Sequence, residues 1–150
     1  MVNDENNFDE ARDAIDKGLA AGLAELHSEV LETVIKNMAN GKDALGNKWL
    51  PVTPSTLFQS RQVRTMNRDA LVDTGEYRAD IVATSTVDLS KKVAFIATTK
   101  DFAKHHEYGA PEAGVPRRPL FGPAGKLAEQ LAPEMIGEEI DSRLESAEVD

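Results

Sequence analysis

The sequence of 150 residues predicts an α+β fold: a long N-terminal helix, a short second helix, a small antiparallel β-sheet and a C-terminal helix. Apolar residues recur in steps of three and four near both ends of the chain, which is the spacing of one helix face. Between these stretches lie two β-branched runs, 81-IVATSTV-87 and 93-VAFIATT-99, separated by a link of hairpin length. Glycine and proline cluster at the joints, as they do where chains turn. The length suits a single domain covering residues 1–150, with residues 1–6 and 146–150 expected to fray.

The first helix is expected from Asn7 to Ala39, on the stripe Phe8, Ala11, Ile15, Leu19, Leu23, Leu26, Val30, Val34 and Met38. Asn7 has Glu10 three residues on, the spacing of a capping box, and Asn40-Gly41 supplies a stop. Such a helix is longer than a compact small domain needs, so part of its stripe is expected to meet another surface, such as a copy of the same chain. Gly18 and Gly22 would permit a close helix approach, but in water such a pair is expected to be merely tolerated. Next comes 41-GKDALGNKWLPVTP-54, a run of turn-formers that contains the single tryptophan of a chain with 5% aromatics. An aromatic there either pins the loop to the core or anchors an interface.

Thr53 and Pro54 form a cap and first position for the second helix, which is expected to reach Arg68. Arg61, Arg64 and Arg68 share one face of it, either as a solvated basic face or as a contact for acidic helices or phosphate. Asp73-Thr74-Gly75 opens a short turn through Glu76, Tyr77 and Arg78, followed by the strand pair. Asp101 begins a helical turn through His105, His106 and Tyr108 that Gly109 closes. The three prolines and two glycines of 109-GAPEAGVPRRP-119 rule out a regular element. From Pro123 a second stripe runs Leu127, Leu131, Met135, Ile140, Leu144, and Pro133 is expected to kink or restart that helix.

Charge and composition exclude several classes of function. The net charge is -9, but residues 11–133 are close to neutral, so the acid excess lies at the two ends. A general nucleic-acid binder shows the opposite sign. No apolar run reaches bilayer length, and the chain has no cysteine for disulfide or thiolate chemistry. Adjacent histidines such as His105 and His106 point about 100° apart on a helix and do not chelate one ion; the productive spacing is four residues. There is no nucleophile elbow and no phosphate-cradling glycine loop. The expectation is therefore a chain with no catalytic residues, no metal and no cofactor. Residues that shape the fold and its contacts are the bulky and basic groups of the irregular segments: Trp49, Pro51, Tyr108, Arg117, Arg118 and Phe121, with Arg61, Arg64 and Arg68.

Three of these segments carry a family resemblance. The string 46-GNKWLPVTPSTL-57, then 70-ALVDTGEYRADI-81, then 105-HHEYGAPEAGVPRRPLFG-122 resemble, in order, three sequence blocks of the phage virion morphogenesis family. These are the tail completion proteins of tailed bacteriophages, of the Mu-type kind. The resemblance spans residues 41–125. Glu107, between the histidines and Gly109, and the doubled Arg117-Arg118 depart from the family pattern. What the resemblance implies is a structural virion protein, without catalysis, at the head–tail junction, assembled in the host cytoplasm. Its partners would be copies of itself in a ring, commonly of six, and other neck, portal or tail-tube proteins. Viral DNA would pass without sequence-specific binding, and no membrane would be involved. A tail terminator or a portal adaptor fits the same motifs. A DNA-binding regulatory module using Arg61, Arg64 and Arg68 is the competing class. The acidic ends would suit a virus of a salt-loving host.

Overall fold

A computed structural model describes residues 4–50 and 75–148 of the chain. In order, these residues form α1 (Asp4–Ala39), α2 (Glu76–Thr84), β1 (Thr86–Asp88), β2 (Val93–Phe95), α3 (Ala103–Tyr108), a single 3-10 turn at Pro111–Ala113, and α4 (Phe121–Glu148). The fold is α+β and mostly helical, with a long helix at each end and a two-stranded antiparallel sheet between them. The expected helix from Pro54 to Arg68 falls outside the described residues.

At 36 and 28 residues, α1 and α4 run about 54 Å and 42 Å at the rise of an α-helix. They pack antiparallel, and the reason they can is Gly18 and Gly22. A Cβ built on Gly18 would lie 2.7 Å from Ile140 Cα, and one on Gly22 would lie 2.7 Å from Ile136 Cα. The backbones meet where no side chain fits, so these glycines form the seam rather than being merely tolerated. The line of α1 facing inward is Ala14, Gly18, Gly22, Leu26, Val30, Val34 and Met38, each four residues on. It coincides with the expected stripe only from Leu26 onward. Phe8 and Ile15, which head that stripe, stay 72% and 43% exposed.

The core therefore sits at one end of the helical pair. Leu26, Val30, Val34 and Met38 of α1 meet Ala44, Trp49, Tyr77, Ile81, Ala103, Leu120 and Ala124 there. This end is a head. The Asp4-to-Leu23 half of α1 and the distal half of α4 project from it as a two-helix stalk.

Several element boundaries differ from those expected. α1 begins at Asp4, so Asn7 lies inside the helix and caps nothing, and the two helices take in residues 4–6 and 146–148, which were expected to fray. α4 begins at Phe121, two residues before Pro123, and continues through Pro133 as one element instead of restarting. Pro133 is on the solvent side, where the carbonyl that loses its helical partner is open to water. The largest correction is at residues 81–84. They close α2 and do not open a strand, because Tyr77 and Ile81, one turn apart, bury the same helix face in the core. That burial outweighs the β preference of Ile81 and Val82. The strands shrink accordingly to three residues each, paired Thr86 to Phe95, Val87 to Ala94 and Asp88 to Val93. Their link is the expected one: the Asp88 carboxylate accepts from Ser90 Oγ at 2.7 Å and Lys91 N at 3.1 Å, and these bonds hold it below the ordinary carboxylate range.

Candidate functional site at the head

The tryptophan loop is built from its own polar groups. Gly41 turns the chain out of α1 with φ of 67°, a conformation glycine adopts without strain. Asp43 is buried and organises the rest of the loop. Its carboxylate accepts from Leu45 N at 2.9 Å, from Asn47 N at 3.0 Å and from Asn47 Nδ2 at 3.1 Å. Asn37 Nδ2 donates to Asp43 O at 2.9 Å, tying the loop to the last turn of α1. Lys42 and Lys48 then pair as an antiparallel bridge, and Trp49 N donates to Gly41 O at 2.8 Å.

This frame delivers Trp49 into the core, where it is 8% exposed. Its Nε1 donates to Pro119 O at 3.0 Å, seventy residues away in sequence. Arg118, also buried, sends Nε to Leu50 O at 2.9 Å, and its own N–H donates to His106 O at 2.6 Å. Burial draws the Arg118 guanidinium below the ordinary arginine range. The segments around Trp49, His106 and Arg118 are thus one clasp. Phe121 packs half-buried against the same core.

Glu107 sits at the centre of the clasp. Its Oε2 accepts from Leu120 N at 2.7 Å and Phe121 N at 3.0 Å, and its Oε1 accepts from Gly122 N at 2.8 Å. A carboxylate thereby satisfies three of the backbone donors at the start of α4, where the helix dipole also favours negative charge. Arg117 stays at the surface and donates from Nε to Glu107 O at 3.1 Å. Nothing local in the sequence announces Glu107, since the helix it caps starts fourteen residues later.

Behind the clasp lies an aromatic stack. Tyr77 and Phe102 meet edge to face with centroids 5.1 Å apart, and Phe102 meets His106 at 5.8 Å. Burial, with the charges of Glu107 and Asp80 adding to it, pushes the Tyr77 hydroxyl up to about 12. His106 is pushed the other way, below its ordinary value, first by burial and then by the positive charges of Arg118 and His105. Its Nδ1 is buried without a hydrogen-bond partner, so the neutral ring is the form this site accommodates. A second clamp fixes α2 to the chain after β2. The Asp80 carboxylate accepts from the hydroxyls of Thr98 and Thr99 and from Thr99 N at 2.8 Å, which lowers it to about 2.

Of the residues singled out from sequence, Trp49, Arg118 and Phe121 converge at the head, and Arg117 lies on its surface. Trp49 belongs to the core. Tyr108 does not anchor the fold: it is 78% exposed, projecting from the last turn of α3. Pro51, Arg61, Arg64 and Arg68 lie outside the described residues. An apolar groove of about 300 Å³ runs beside α1, walled by Leu23, Val30, Ile96 and Phe121. Its neighbour His27 donates Nε2–H to Phe95 O at 3.1 Å, so its imidazole is engaged in holding β2 to α1. Among the described residues no cluster of three metal-ligating side chains occurs, and no helix is long and apolar enough to cross a membrane. No family model, curated protein or solved structure matches this chain.

Proposed function

We propose that this chain is a structural virion protein of a tailed virus, acting at the head–tail junction as one subunit of a ring around the DNA channel. It works by docking and makes or breaks no bonds. The observation that carries this reading is the clasp. The first and third family-like blocks, around Trp49 and around His106–Arg118, are far apart in sequence yet bonded to each other at the head. Two short motifs whose described residues are bonded to each other across the fold support a shared architectural role better than coincidence would. The polar groups of the head favour the same reading, because they are engaged by other groups of the chain. Asp43, Glu107 and Asp80 each hold several N–H or hydroxyl donors of the chain itself. A general acid or base needs a lone pair or proton facing a substrate.

The test is loss of the gene in the virus that carries it. DNA-filled heads and separate tails should accumulate, visible by electron microscopy, and joining should return when the chain is supplied in trans. Joined, infectious particles formed without it would overturn the proposal.

A further inference from the structure

Between about pH 5 and 8 histidine is the side chain whose charge ordinarily changes. The chain has three, and they stand in different settings. His105 is exposed on α3. His27 donates Nε2–H to Phe95 O, a bond that a protonated ring keeps, because both ring nitrogens then donate. His106 differs from both. Its Nδ1 is buried with no hydrogen-bond partner, so a proton added there becomes an unpaired donor and brings a charge into the head.

Among the described residues, the charges that bear on this ring are positive. Burial opposes its protonation most, followed by Arg118, from the segment ahead of α4, and His105, on α3 itself. Arg118 is buried too, with Nε bonded to Leu50 O. Tyr77 of α2, beyond Phe102 in the aromatic stack, carries no charge below about pH 12. The carboxylates of the head belong to other partners. Glu107 holds the N–H groups of Leu120, Phe121 and Gly122, Asp43 is bonded inside the tryptophan loop, and Asp80 is bonded to Thr98 and Thr99.

We propose that His106 is an acid latch: protonating it swings α3 off the segment ahead of α4 and opens the clasp, while α1 and α4 stay packed. The two parts are separable because the closest contacts of the seam, Gly18 and Gly22 against Ile136 and Ile140, contain no group that titrates. In the clasp the latch residue is itself part of the join. His106 O accepts from Arg118 N, and the next residue, Glu107, caps α4. Moving the ring away from Arg118 therefore pulls on both. Gly109 ends α3 at φ of 79° and takes up the change of direction without side-chain strain. The latch needs only the geometry of the clasp, whatever the head docks on. The single tryptophan reports its opening, since Trp49 Nε1 donates to Pro119 O, next to Arg118.

Trp49 emission of the full chain, followed from about pH 8 to about pH 5 alongside far-ultraviolet circular dichroism, is the test. Emission should shift reversibly to the red below the ordinary histidine value of 6.5, with the helical signal of α1 and α4 kept. His106→Leu should abolish the shift, and His105→Gln, at an exposed position, should retain it. If His106→Leu does not fold, the parent answers alone: the His106 ring, followed by nuclear magnetic resonance, should titrate below 6.5 and in step with the emission. Emission unchanged across the range would overturn the latch, as would a shift that persists in folded His106→Leu or disappears in His105→Gln. So would helical signal lost together with the emission, or a ring that titrates while the emission stays constant.

Discussion

Replacing Trp49 by alanine removes a buried ring and leaves Pro119 O without its indole donor. Large-to-small changes of this kind in a packed core cost about 3–5 kcal/mol, which chemical denaturation of the variant should read. Trp49→Phe keeps most of the ring and loses the hydrogen bond, so it should cost about 1–2 kcal/mol. A second prediction concerns acid. The unfolded His106 takes up a proton near the ordinary histidine value of 6.5, while the folded one does so only at lower pH. Stability that is complete above about 6.5 should therefore decline as pH falls below it, and His106→Leu should flatten that part of the profile. Asp80 acts further down: its folded value of about 2 lies under the ordinary 3.8, so its contribution should vanish between those values. The tryptophan's loop was legible in the sequence because its turn-formers are local. Glu107 and Asp80 were not, because their partners lie across the fold and no spacing rule connects a carboxylate to a distant backbone N–H.

At the scale of elements, periodicity revealed that two long helices exist but not which line of α1 they share. Apolar size pointed to Phe8, Ile15 and Leu19, whereas the structure uses Ala14, Gly18 and Gly22, since the closest helix approach selects the smallest residues. Gly22→Leu should consequently separate α1 from α4 along the stalk. Overpacking at such a seam costs about 1–3 kcal/mol or more, and hydrogen exchange should show faster opening of residues near Ile136 and Ile140 than of the head. The misread strand at Ile81–Thr84 makes the complementary point. β-branched composition described the segment correctly, but a four-residue spacing between Tyr77 and Ile81 matched a core already supplied by α1, and the core chose the helix.

At the scale of the whole molecule, the charge asymmetry read from the sequence has acquired a geometry. The acid surplus lies on the projecting stalk of α1 and α4. A stalk of two helices buries one seam and leaves apolar side chains such as Phe8 in water, a cost that a docking partner removes. On the proposed function, that partner is another copy of the chain. Native mass spectrometry of the purified full-length protein is the sharpest test. One closed assembly of more than two copies is the expected result. A monomer or a dimer at every concentration up to tens of micromolar would refute it.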